Sequence, residues 1–473
     1  MTSSRFAVLV VSMSFACVPA VETVADGGGG AGGTAVGGGN GGGAAGGGGA
    51  AGGGGAAGGG GAAGGGGAAG GGGEAGGAAC AQSGWVDLQL GAGADDEVLA
   101  VALDGRGRLI IAGYEGGITG VTNVQPTGDA SGYVVALAAS GERAWERRFA
   151  TAGTDTVEAL AIGPGQDEVT VAGRTTGQLT AAANAGQFDL FVARLDATGA
   201  VSRLMQTGGP QPEHPTQLSL RPDGGVVVAG YEDLFVHNST VLADDDGFVL
   251  ALELEAEPAS VGWAHHAESP IGDRFTGLAV DGAGGIFIAG FENGGGTFVR
   301  KLDARGAPEW TQVADTFGGQ ADTLALAPNG HLVIAGGVLS AQTPGGPLVP
   351  GLFVSERDAQ GAEVWSTRLV SSNLVRASAI AFDSAGHPVV AGRTLGAFEN
   401  GPAHAGGEDV FVVRFDGAGR VTDMVQRGTP GDDVVTSLTV DACGQAFVGG
   451  FTTGPLAGPN AGGRDGFVLR LAP

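Results

Sequence analysis

The chain has 473 residues, among them 97 glycines and only 6% aromatics, and its 23 Lys and Arg stand against 49 Asp and Glu, a formal net charge of -26 at pH 7. So acidic a chain is repelled at long range by nucleic acid and by anionic lipid, and no basic cluster interrupts the acidity, which excludes both as ligands of the folded part. The glycine is concentrated in one segment, so the average composition describes neither that segment nor the rest.

In chain order, Arg5 precedes an apolar run from Phe6 to Ala16. The run is too short to span a bilayer and has the length of a signal-peptide core, which predicts export. It ends in Ser14-Phe15-Ala16-Cys17, which resembles the lipobox of bacterial lipoproteins. That resemblance implies that residues 1–17 form the signal region, with Cys17 the lipidated residue and membrane contact made only through that lipid. Residues 18–79 read as a tether, since from residue 27 onward they are almost wholly Gly and Ala, with GGGGAA recurring. Such a segment has no side chains to bury and lacks the every-third-Gly period of collagen. As a flexible chain it reaches about 40 Å.

Residues 80–473 are periodic. The clearest unit is FTGLAVD at 275–281, a Gly-rich turn, GIFIAGF at 285–291, a short loop, TFVRKLD at 297–303, a turn, and PEWTQVA at 308–314. Each run is apolar or alternating and is bounded by Gly, Asp, Asn or Pro, the pattern of four antiparallel strands. The second strand ends on a small residue and a glycine seven times: Ala112-Gly113, Ala172-Gly173, Ala229-Gly230, Ala289-Gly290, Ala335-Gly336, Ala391-Gly392 and Gly449-Gly450. Seven four-stranded units that cannot bury both faces alone predict an all-β, seven-bladed β-propeller. The last unit stops after its third strand, GFVLRLAP, while GWVDLQL at 84–90 reads as a fourth strand. The N-terminal strand is therefore expected to complete the last blade and remove its exposed edge.

The units resemble the bacterial seven-bladed β-propeller repeat (SBBP-type) proteins, which pair an Asp-x-x-Gly turn with Gly-x-Thr and Asp-x-Phe-Val. Asp281 to Gly284, Asp441 to Gly444, Gly392-Arg393-Thr394, Gly450-Phe451-Thr452, Asp409 to Val412 and Asp465 to Val468 carry that pattern, whereas blades 3 and 5 have Arg221-Pro222-Asp223 and Ala327-Pro328-Asn329 at the first turn. The resemblance implies a surface or secreted lipoprotein, placed at the outer membrane or outside the cell.

Candidate chemistry is sparse. The turn residues Asp104, Asp196, Asp281, Asp303, Asp383 and Asp441 read either as metal ligands or as ordinary tight-turn carboxylates that accept backbone N–H groups. Aligned on the innermost strand, Asp96, Asp155, Glu213, Asp273 and Asp433 fall at one position, with Gly319 and Val375 in blades 5 and 6. They read as a partial acidic ring able to hold Ca²⁺ at the channel mouth, or as five independent caps of loop-to-strand turns. The histidines at 214, 237, 265, 266, 331, 387 and 404 show no zinc spacing, and no catalytic motif is present. With Cys17 assigned to the lipid, export leaves Cys80 and Cys443 as a disulfide that locks the closure. The loops between second and third strands are expected to run 12 to 18 residues in six blades and about five in blade 4, all on one face. The reading is a tethered binding or scaffold module whose long-loop face meets a protein or glycan of the cell surface. The alternative is an exported propeller enzyme acting on polysaccharide, with its acid and base drawn from the channel-mouth carboxylates.

Overall fold

The computed structural model describes residues 87–91, 93–116, 130–165, 167–181, 183–234, 244–267, 273–292, 296–314, 319–341 and 346–473. Cys17, Cys80 and the Gly/Ala segment lie outside them. The described regular elements form seven four-stranded antiparallel sheets. Each innermost strand packs on the innermost strands of its two neighbours, and that of blade 7, Asp433–Val440, packs on that of blade 1, Glu97–Leu103, so the ring of blades is closed.

The small-residue pair that ends each second strand has a steric cause. Gly173 stands opposite Phe191 of the third strand, and a side chain begun at Gly173 would lie 2.7 Å from that ring and 2.0 Å from the Thr156 carbonyl oxygen. Gly230 with Phe248, Gly392 with Phe411 and Gly450 with Phe467 repeat the contact. The Gly-x-Thr and Asp-x-Phe-Val segments are thus two halves of one packing unit, a ring folded over a glycine. These four phenylalanines are fully buried, and the second strands are buried on both faces because each sheet lies between two others. Only the outermost strands are largely open to solvent, as Arg143–Phe149 is.

Opposite that glycine the innermost strand carries a bulge in six blades, for instance between Val435 and Ser437 and between Phe275 and Gly277. A bulge re-aims the extra side chain, and in three blades the chain is a threonine that reaches the next blade. Thr216 Oγ1 donates to the Phe275 carbonyl at 2.8 Å, Thr276 to that of Ala321 at 3.0 Å, and Thr436 to that of Val98 at 2.7 Å. The last of these joins blade 7 to blade 1 by the same staple used inside the ring.

The strand Leu88–Leu90 pairs with Asp465–Leu471 and supplies the outer strand of blade 7, as the closure reading requires. Gln89 is its anchor. In blade 2, Gln206 Nε2 donates to Asp189 at 2.9 Å and to the Gly177 carbonyl at 3.0 Å. In blade 6, Gln426 Nε2 donates to Asp409 at 2.8 Å and to the Gly396 carbonyl at 3.1 Å. Gln89 makes the same two bonds, to Asp465 at 2.9 Å and to the Gly454 carbonyl at 3.1 Å.

One expectation needs correction. The loops between second and third strands are not long in six blades. In blades 3 and 5 the strands themselves extend, to Val226–Leu234 with Asp244–Glu253 and to Leu332–Ala341 with Leu348–Arg357, which leaves 235–243 and 342–347 between them. In blade 4 the strands end at Glu292 and resume at Gly296.

Candidate functional site

The long connections of blades 2, 6 and 7 share a face with the starts of the innermost strands. They are tied down by their own polar groups. Asp189, Asp409 and Asp465 accept the backbone N–H of Ala185, Ala405 and Ala461, four residues back in each case. The Leu179 N–H donates to Gln206, and those of Ala457 and Gly458 donate to Gln89. Asn184 and Asn460 donate to the carbonyls of Thr175 and Thr452. These connections form a rigid rim.

Beneath the rim, Asp96, Asp155, Glu213, Asp273 and Asp433 are all buried, at 0% to 5% exposure. Four of them, Asp96, Asp155, Glu213 and Asp433, engage their own hairpin or the approach to it. Asp155 accepts the Thr175 hydroxyl and the Thr151 N–H, Asp433 accepts the Thr452 hydroxyl and the Thr429 N–H, and Asp96 accepts the Gly116 N–H at 3.0 Å. Burial raises the pKa of Asp155 and Asp433, and these hydrogen bonds oppose the rise. Among the described residues no group of three or more His, Cys, Asp or Glu is arranged to hold a metal ion. The turn carboxylates likewise serve backbone: Asp104, Asp196, Asp281, Asp303, Asp383 and Asp441 each accept the N–H groups two and four residues on, and the glycine three residues on adopts positive φ wherever the turn is Asp-x-x-Gly.

In blade 5 the equivalent position is Gly319, as the alignment placed it, since Gly336 faces the Gln320 carbonyl as Gly290 faces that of Arg274; Asp322, three residues on, accepts the N–H groups of Gly337 at 2.9 Å and Ala377 at 3.1 Å and pairs with Arg376 at 2.9 Å. The histidines are dispersed. His331 meets Glu356 at 2.7 Å, His387 meets Asp383 at 3.3 Å, and His404 contacts the Gly407 carbonyl oxygen at 2.8 Å, each in a different setting.

The side chains that line the mouth are those next to the buried carboxylates, and sequence reasoning passed over them. On blades 3 and 4 these are His214 and Arg274, which pair across the hairpin with Tyr231 and Phe291. On blade 7 Phe451 carries Arg464 over its ring at 4.5 Å, and Arg464 pairs with Glu97 of blade 1 at 2.6 Å. The signal was present as the variable residue of each Gly-x-Thr or Gly-x-Glu step: Tyr114, Arg174, Tyr231, Phe291, Arg393 and Phe451. Cys443 lies in the inner hairpin turn of blade 7, on the opposite face, with its N–H on Asp441.

The chain is an all-β seven-bladed propeller. No protein-family model and no curated protein matches it. Among solved structures it is similar to Raptor of Chaetomium thermophilum, at 10% identity and a TM-score of 0.47 over 81% of this chain, but it spans only 28% of that chain. It is also similar to Sqt1 of the same organism, at 13% identity and a TM-score of 0.43 over 82% of this chain and 100% of that one. A puromycin hydrolase gives 12% identity and a TM-score of 0.39 over 79% and 59%. At these levels the likenesses carry no functional argument, and the fold rests on the seven sheets themselves.

Glu213 stands opposite Glu232, where Asp155 and Asp433 stand opposite the threonines that serve them. Its Oε1 accepts the Gly209 N–H, while its buried Oε2 has no hydrogen-bond partner. Burial, with Glu232 and Asp189 adding to it, pushes its pKa from 4.5 up to about 8. The folded state therefore holds a proton that the unfolded chain releases, so this group favours folding below pH 4.5 and loses that contribution as pH rises to about 8. Stability measured by urea unfolding is expected to fall over that window by a few kcal/mol. Glu213→Gln should flatten the fall; an unchanged slope would show that Glu213 titrates normally.

Proposed function

We propose that the protein is a cell-surface-tethered binding or scaffold module that meets an envelope or extracellular protein or glycan with its long-loop face. The observation that carries this reading is the rigid rim. Asp, Gln and Asn side chains fix the connections of blades 2, 6 and 7, so a ligand meeting this face would encounter a preformed surface and little ordering cost. The mouth carboxylates are buried, and Asp155 and Asp433 are engaged with their own blades, which speaks against their serving as a solvent-facing acid and base.

The remaining parts of the proposal come from sequence. The repeat resembles the SBBP-type surface proteins, Cys17 would carry a lipid, and residues 18–79 would hold the propeller clear of the outer membrane or extracellular surface. A Cys80–Cys443 disulfide would lock the closing strand. In support of it, Asp87 accepts the Arg470 N–H at 2.9 Å and shares a small cleft with Gln445, two residues past Cys443. The start of the closing strand thus lies beside the turn that holds Cys443, and a cross-link over so long a loop contributes up to about 5 kcal/mol in the chain-entropy model.

Two measurements test these readings. Ala181 and Ala461 are exposed on the long-loop face, and Ala304 and Ala418 are exposed in turns of the opposite face. A bulky maleimide-linked polymer on cysteines placed at the first pair should block capture of envelope material by the full chain, and on the second pair it should not. Equal capture in both would put recognition elsewhere, and breakdown of a captured polysaccharide would make the protein an enzyme. For the disulfide, intact mass should rise by two hydrogens on reduction; alkylation of Cys80 and Cys443 without reductant would remove it.

A further inference from the structure

The inner hairpin of blade 6 carries two arginines face to face at the mouth. Arg376 of Val375–Phe382 stands directly opposite Arg393 of Pro388–Thr394. Past the strand ends the ladder runs one step further, the Leu395 N–H donating to the Leu374 carbonyl at 2.9 Å. Burial alternates along both segments: Val375 and Thr394 are buried, Leu374 is 50% and Leu395 39% exposed, and the side chains of Arg376 and Arg393 are 48% and 36% exposed. Alternation puts the two leucines and the two arginines on one side of the hairpin. Val389 and Ala391, on the same side as Arg393, pack on blade 7, whose second and third strands and connections all lie among the described residues.

Most donors of this patch are unengaged. Among the described residues Arg376 hydrogen-bonds only through Nη1, to Gln320 and to Asp322, the latter at 2.9 Å. Arg393 meets only Glu408, whose Oε1 lies 3.2 Å from its Nε. Nε and Nη2 of Arg376 and both Nη atoms of Arg393 are left over. Arg464 of blade 7, by contrast, is held between the Phe451 ring and Glu97.

We propose that this patch docks an acidic, aliphatic segment of a partner protein, a carboxylate held by the arginines and an aliphatic side chain lying on Leu374 and Leu395. The proposal rests on the recognition reading above and chooses protein over glycan. Three observations select the class. The exposed leucines gain free energy only from apolar contact, and both are aliphatic, without the aromatic face on which a sugar ring stacks. Guanidinium forks with unengaged donors match a carboxylate, and arginine beside apolar side chains is the composition of protein interface centres. Asp322 and Glu408 already balance the two arginines on a chain of net charge -26, so a polyanion such as nucleic acid finds no surplus of positive charge.

The test selects random decapeptides displayed on phage against the full chain. Enriched peptides are expected to carry Asp or Glu together with Leu, Ile or Val. One of them, synthesised, is expected to bind Leu395→Ala and Arg393→Gln about tenfold more weakly than the parent. Leu395 is exposed and Arg393 makes no hydrogen bond among the described residues, so the melting temperature should stay within a degree or two of the parent. Arg393→Glu should turn the selection towards Lys- and Arg-bearing peptides, a change that misfolding would not produce. No enrichment, enrichment of peptides without acids, or binding that ignores both substitutions would overturn this seat. A neutral polysaccharide bound by the parent and lost in Leu395→Ala would overturn the protein class. If the seat fails while polymer at Ala181 and Ala461 still blocks capture of envelope material, the recognition face stands without it; if that block fails too, both readings fall.

Discussion

The hydrogen bond from Gln89 to Asp465 is the contact on which the ring depends. Every blade is buried on both faces, so an incomplete blade would expose one sheet edge and weaken two interfaces. Blade 7 takes its outer strand from residues 88–90, only three residues long and without a fully buried apolar side chain. Polar geometry therefore decides the closure. Gln89 reproduces at the seam what Gln206 and Gln426 do inside blades 2 and 6, down to the glycine carbonyl that shares the amide. Asp87 adds an ion pair to Arg427 of blade 6 at 2.8 Å.

The same set of contacts organises the candidate surface. The carboxylate that receives each of these glutamines also holds the N–H of the connection that rises above it, so ring closure and rim rigidity share atoms. Below the rim the innermost-strand carboxylates are buried, and above them the adjacent positions vary from blade to blade: His214, Arg274, Arg376 and Val434. These neighbours range from exposed Arg274 and Arg376 to buried Val434, so the mouth changes chemistry from blade to blade on one scaffold.

Much of this was legible in the sequence, because the packing unit is local and repeats. Ala-Gly at the end of a second strand and Phe within the third mark a ring over a glycine, and seven copies fix the blade count. What the sequence concealed was spatial. In blades 3 and 5 segments rich in Asp or in Pro and Gly read as loops, yet Asp233 pairs with Asp245 and Leu339 with Pro350 in extended ladders. In blade 5 the equivalent position is Gly319, and the carboxylate of Asp322, three residues further on, is recognised only by the N–H groups it accepts. The acidic positions are equivalent, and equivalence in a propeller places residues in different blades, where Asp155 and Asp433 face their own hairpins. The mouth side chains were missed for the opposite reason: they do not repeat.

Replacing Gln89 by leucine and comparing the variant with Gln206→Leu and Gln426→Leu in urea unfolding tests the closure most directly. Each substitution leaves a buried aspartate without its amide donor, and each is expected to destabilise the propeller by about 1–3 kcal/mol, the seam no less than the interior. A Gln89→Leu protein that unfolds like the parent, while the two interior variants are weakened, would show that the strand at 88–90 does not hold the ring.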